Sequence, residues 1–185
     1  MAKGPAFITG NQGKFKEVAA IIPDISQLAL DLDEIQSLDA HTIIEHKLAQ
    51  AAGTYHEPMF VEDTSLVFHC LGQLPGPLIK FFEDSLTNQQ LADLVSRYDN
   101  NSATARSTIG YRDENGHCHY FSGEIKGTIV SPRGELNPFG WNNIFQPQGH
   151  SQTFAEMTVE AKNAISMRGI AATRLRDFLS HRPHI

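Results

Sequence analysis

The chain is poor in cysteine, with only Cys70 and Cys118 among 185 residues. Two thiols are too few for a disulfide framework, so a reducing compartment is expected. No stretch approaches the roughly 20 apolar residues of a membrane span. The opening Met1-Ala2-Lys3-Gly4-Pro5 also lacks the apolar core of a secretory signal. The expectation is a cytoplasmic protein without membrane contact. Basic charge is scarce as well: 15 Lys and Arg stand against 21 Asp and Glu, a net charge of −6. That balance argues against a nucleic-acid partner, which wants a broad basic face, but not against a small polyanion held by a few lysines. Repeats, low-complexity tracts and long linkers are missing. So are the HExxH and CxxC patterns of zinc sites and the GxSxG nucleophile elbow.

With 41% apolar residues, the chain has enough for one well-cored domain spanning 1–185. Ala6 to Thr9 reads as a short buried strand. Phe15, Val18, Ala19 and Ile22 then recur at helical spacing up to Pro23. A short strand near Gln27 to Leu30 leads into an acidic loop, Asp31 to Asp39. Thr42, with Glu45 three residues on, suggests a capping box opening a second helix that stops at Gly53. The segment "PMFVED" reads as a strand ending in charge. Beyond it, "LGQLPGPLIKFF" is a Pro/Gly loop entering a helix, and Leu91, Leu94 and Val95 mark another. From Ala103 to Val130 the pattern is strand-like about a turn at Asn115-Gly116. The aromatic loop from Ser131 to His150 follows, and a C-terminal helix carries Ile165, Ala172, Leu175 and Leu179. A hairpin among strand-helix units predicts an α/β fold with a mixed sheet.

Three groups of residues can carry chemistry. Thr9-Gly10-Asn11-Gln12-Gly13-Lys14 lies between a strand and a helix, where backbone amides and a helix N-terminus can meet an anion. Gly10 and Gly13 would permit positive φ there. A plain connector is the competing reading, and the turn is no Walker A loop, since Ile8 stands where that motif has its first glycine. Glu62 and Asp63 form the second group. Adjacent strand residues face opposite ways, so the two carboxylates do not share one task. One of them, with Asp31, Asp33 or Glu34, suits Mg²⁺, a hard cation that takes oxygen ligands; a solvated strand end is the bland alternative. Lys14, Lys47, Lys80 and Lys162 make an electrostatic set for a triphosphate, although snorkelling accounts for each singly. His117 and His119 share a strand face without a third ligand, and Phe139, Trp141 and Phe145 suit either base stacking or loop anchoring.

Taken in order, "TGNQGKFKE", "VEDTSLVFHCLGQLPGPLIKFF", "FGWNNIFQPQG", "TFAEM" and "EAKNAISMRGIA" resemble the blocks of the inosine/xanthosine triphosphate pyrophosphatase family. The likeness runs from Phe7 to the C-terminal helix. It implies an elongated mixed β-sheet flanked by helices, with two lobes, a central substrate cleft and a homodimer. The implied activity is Mg²⁺-dependent hydrolysis of ITP, dITP and XTP to the monophosphate and pyrophosphate, with Mn²⁺ a possible substitute. Carried over by position, Thr9, Gly10, Asn11, Gln12, Gly13 and Lys14 would line the phosphates, and Lys14 would also serve catalysis. Glu34 would be a metal ligand, and Asp63 both metal ligand and general base. Thr64 would touch substrate, while Lys47 and Lys80 would neutralise phosphate. Phe139, Gly140, Trp141, Asn142, Lys162, Met167 and Arg168 would recognise the base. Two residues depart from the family pattern: Asn142 replaces an aspartate and Met167 a histidine. These departures leave open another modified or canonical purine nucleotide as substrate, or a nucleotide-binding sensor without turnover.

Overall fold

The computed structural model describes residues 4–134 and 140–181. Ala6, Phe7 and Ile8 are all buried, so β1 (Ala6–Ile8) runs through the interior with both faces covered. The turn after it opens α1 (Gln12–Ala19), whose N-cap is Asn11. β2 (Ser26–Leu28) follows, then α2 (Ala40–Ala52). The cap of α2 is Asp39 rather than Thr42. The Asp39 carboxylate accepts from the His41 amide, and the Thr42 hydroxyl turns back to the same carboxylate at 2.7 Å. A carboxylate also suits the positive end of the helix dipole.

β3 (Met59–Phe68) is longer than its sequence suggests. It passes straight through Glu62-Asp63-Thr64-Ser65 instead of ending there. Ten consecutive cross-strand partners on β5 hold this polar middle in the ladder. β4 (Pro75–Gly76), α3 (Ile79–Ser85) and α4 (Asn88–Ser96) complete the connection. The hairpin of β5 (Ser102–Arg112) and β6 (Cys118–Ile129) turns at Gly116, which has φ 83°. His119 approaches Asp113 at 3.1 Å and stacks near Phe178, so this end of the hairpin is a packed polar corner. Among the described residues no cluster of three or more His, Cys, Asp or Glu is arranged for a metal.

The aromatic loop contains a short strand, β7 (Phe145–Pro147), paired with β6. The expected C-terminal helix is two: α5 (Val159–Ile165) and α6 (Met167–Ser180). Ser166, extended at φ −69° and ψ 155°, breaks the spiral and caps α6 by accepting from the Gly169 amide. A hydroxyl that satisfies an orphan amide makes such a restart favourable.

The sheet runs β2-β1-β3-β5-β6-β7, with β4 beside β3. β1 pairs both neighbours in parallel and the remaining pairs are antiparallel. This is the mixed sheet that the pattern predicts. α1 and α6 cover Phe7, Phe60 and Ile109, while α2 packs against Ile8, Met59 and Val61. The far half of β3 packs with α4, Trp141, Phe145 and Phe154.

α6 lies so close to β6 that Gly123 has no room for a side chain. A Cβ there would overlap the Met167 carbonyl and stand 2.8 Å from Ile170 Cβ. Because the clash is with helix backbone, Gly123→Ala is expected to destabilise the fold by about 1–3 kcal/mol. A lowered urea midpoint would register this; an unchanged midpoint would mean that α6 yields without cost.

Candidate active site

A cleft of about 960 Å³ opens where the β1–α1 turn, the acidic loop, the middle of β3 and the starts of α3 and α6 meet. Each wall has a local cause. At the turn, Thr9 is pinned by its own amide to Leu28 at 3.0 Å and by Gln27, which donates to its carbonyl at 2.9 Å. Asn11 Oδ1 accepts from the Lys14 amide at 3.0 Å. The other first-turn amides of α1 are orphan donors of the kind that anions satisfy. Thr9, Gly10, Asn11 and Lys14 line the cleft, whereas Gln12 bonds Gln27 at 2.9 Å instead. The glycines of this turn do not use positive φ. A Cβ at Gly10 would meet nothing within 4 Å, so this position faces open space rather than a tight turn.

The alternation of β3 sends its two carboxylates to opposite sides. Asp63 meets Lys47 at 3.1 Å, and Lys47 reaches Glu34 at 3.0 Å. Lys80 approaches the same Glu34 at 3.6 Å. The acidic loop is thereby tied to α2, α3 and β3 through cations. Asp63 Oδ2 is buried without a hydrogen-bond partner among the described residues. Burial lifts the Asp63 carboxyl above its ordinary range, outweighing Lys47 and Lys14. Burial would also raise Glu34, but Lys47 and Lys80 bring it below normal.

Glu62 anchors a second, deeper set. Lys14 pairs with it at 2.7 Å and Arg168 at 3.2 Å, and Ser107 donates to it at 2.6 Å. Arg168 also grips Glu17, which takes Lys162 at 2.6 Å. Burial would push the Glu62 carboxyl up, yet Arg168 and Lys14 hold it far below the usual carboxylate range. Burial likewise opposes the charge on Lys162, whose pKa falls despite Glu17. Lys162 lies behind the cleft, with its ammonium 5.4 Å from the centre of the Phe154 ring.

Of the remaining sequence candidates, Thr64, Lys47, Lys80, Gly140, Trp141, Asn142, Met167 and Arg168 all line the cleft. Gly13 lies within α1 and is absent from the lining, and Phe139 lies outside the described residues. Met167 is buried in an apolar cluster with Trp141 and Leu66, so its side chain is committed to packing. Sequence reading missed Glu17 and Glu83. Glu17 follows Lys14 by one helical turn, the only local hint of its place on the buried face. Glu83 lines the cleft, and burial followed by repulsion from Asp84 raises its carboxyl to about 7.

Two outcomes follow from these charges. Glu62→Gln leaves Arg168 and Lys14 against a neutral amide in the interior, and a loss of ~3 kcal/mol in urea unfolding is expected. Glu83 has a folded-state pKa above its ordinary 4.5, so the folded protein holds the extra proton between pH 4.5 and about 7. Its contribution is therefore intact below 4.5 and declines as pH rises through 7. Glu83→Gln should raise the thermal midpoint at pH 8 and bring no gain at pH 4.5, as read by calorimetry at both values.

Comparison with known proteins identifies the family of this chain. The Ham1 family profile matches residues 6–178. An inosine triphosphate pyrophosphatase of Schizosaccharomyces pombe is 43% identical over 177 residues, 94% of this chain and 93% of its own. One from Scheffersomyces stipitis is 43% identical over 189 residues, covering 94% and 96%. The solved structure of a HAM1 protein from Coxiella burnetii aligns with a TM-score of 0.81 and 25% identity, over 96% of this chain and 98% of that one. The chain belongs to the Ham1 family.

Proposed function

We propose that this chain is a nucleoside triphosphate pyrophosphatase that hydrolyses ITP, dITP and XTP to the monophosphate and pyrophosphate. One observation carries the reading. Lys14, Lys47 and Lys80 converge with the unpartnered oxygen of Asp63 in a single cleft, in a chain 43% identical to an inosine triphosphate pyrophosphatase.

The residues suit a divalent ion. Within the cleft, Glu34, Glu62 and Asp63 already offset the three lysines. A triphosphate therefore brings negative charge that nothing present compensates. Glu34 and Asp63, joined through Lys47, are the oxygen donors that would hold Mg²⁺, with Mn²⁺ a substitute; such an ion uses one or two carboxylates and substrate phosphates. When bound, the ion neutralises phosphate charge as a Lewis acid.

The chain's own groups do the rest. Amides of the β1–α1 turn and Lys14 receive phosphate oxygens, and Lys47 and Lys80 shift from their carboxylates toward the pyrophosphate end. Asp63, with its affinity for protons raised by burial, takes the proton of the attacking water. No side-chain nucleophile is required. Arg168, which lines the cleft, supplies donors suited to a 6-carbonyl, with Lys162 behind it held to the same Glu17, and an adenine amino group in that place would leave the Arg168 donors unpaired. The working form is read as a cytoplasmic homodimer of one domain. No described helix is long and apolar enough to cross a membrane.

Purified protein given Mg²⁺ and a panel of triphosphates should release pyrophosphate fastest from the 6-oxo purines. Asp63→Asn should lower turnover by about 10²-fold or more while triphosphate binding persists. Equal turnover of ATP would overturn the base preference, and an active Asp63→Asn enzyme would remove Asp63 from the base role.

A further inference from the structure

α3 presents two side chains of opposite sign to the cleft. Lys80 and Glu83 are three residues apart and so share a helix face. Lys80 turns toward Glu34, on the side of the three lysines. Glu83 turns toward the loop that begins at Gly140. Gly140 has φ 59°, and a Cβ built on it would meet Glu83 Oε1 at 2.9 Å. That oxygen is shielded from solvent, yet it has no hydrogen-bond partner among the described residues. Among the described residues neither hydrogen bond nor ion pair fixes Glu83 in the fold, and its burial raises the proton affinity of the carboxyl.

A buried acceptor left open in a binding cleft carries a desolvation cost that a ligand donor removes. A carboxyl group repels phosphate, so the donor belongs to the other half of the ligand. Gly140, Trp141 and Asn142, uncharged residues that share the cleft lining with Glu83, suit that half. Asn142 is a neutral amide, so it adds no second negative charge beside Glu83.

We propose that Glu83 is a specificity-determining residue that accepts a hydrogen bond from an N–H or O–H of the nucleoside half of the substrate. The proposal rests on the reading of this cleft as a nucleotide site. Two donors share this chemistry, the ribose 2′-hydroxyl and the N1–H of a 6-oxo purine. Adenine has a bare acceptor at N1, so contact with the base would reinforce the preference for 6-oxo purines.

Binding measured by calorimetry tests this without turnover. Inosine monophosphate and pyrophosphate are titrated into the wild-type chain, Glu83→Gln and Glu83→Leu. At pH 8, where the Glu83 carboxyl is ionised, inosine monophosphate should bind about tenfold to a hundredfold more weakly to Glu83→Leu, as expected for a lost bond to a charged group. Glu83→Gln, which keeps an acceptor oxygen, should lose less. Pyrophosphate should bind all three equally, or the variants slightly better. The 2′-deoxy and 1-methyl forms of inosine monophosphate identify the donor: the form that already binds weakly to wild type, and loses nothing more in Glu83→Leu, lacks it. An unchanged inosine monophosphate affinity in both variants overturns the proposal, as does an equal loss for pyrophosphate or no binding of inosine monophosphate by wild type. Failure of the pyrophosphatase reading shows separately, as absent turnover in a wild-type protein that binds the monophosphate.

Discussion

The buried chain of charges from Lys14 through Glu62, Arg168 and Glu17 to Lys162 is the constraint around which the site is built. Its links come from α1, β3, α5 and α6. Glu62 and Arg168 are almost fully withdrawn from water, where neither could stay charged alone. The chain holds three cations against two carboxylates, with burial opposing the charge on Lys162 at its far end. It also fixes geometry: the turn carrying Lys14 and the N-terminus of α6 cannot separate without stranding an ion in the interior. A buried ion network adds less to stability than its contacts suggest, because desolvation offsets the attraction. What it secures here is the relative position of elements far apart in the chain.

The second set, Glu34, Lys47, Asp63 and Lys80, differs in kind. Glu34 and Lys80 are more than half exposed, so their pairing is weak and easily exchanged. That suits groups whose proposed work is to release one partner and take another. β3 separates the two sets because successive side chains point to opposite faces. The more buried set around Glu62 stays fixed while the more exposed pairing of Glu34 and Lys80 can rearrange around a ligand.

Much of this was legible because it is local. The β1–α1 turn, the hairpin at Asn115-Gly116 and the order of strands and helices follow from periodicity and turn chemistry read over a few residues. Legibility failed where a distant partner decides. The polar middle of β3 looks like a strand end, yet Ser107 and Arg168 satisfy it from 45 and 106 residues away. The break at Ser166 interrupts a sound helical pattern because a serine cap and the close approach at Gly123 favour a restart. Asp39 outcompeted Thr42 as the cap of α2 since a charged acceptor suits a helix N-terminus better than a hydroxyl. Glu83 carries no local signal of burial and Glu17 only its spacing from Lys14, so it is the tertiary fold that puts them in the site.

Selectivity is where these levels meet. Met167 stands where a histidine was expected, and its side chain is packed against Trp141 in the core. Its contribution to the cleft is therefore shape, and its carbonyl is pressed against Gly123. In the proposed function, polar recognition falls to a group whose charge the fold has already committed: Arg168 answers to Glu17, as does Lys162 behind it. A base carbonyl that reaches Arg168 must share donors with that carboxylate, as a guanidinium with its five N–H groups allows. An amino group in the same place adds a donor to a region already rich in them. In the proposed function, discrimination thus depends less on any single contact than on the donors that the buried network presents at Arg168 and the acceptor that Glu83 presents on the wall.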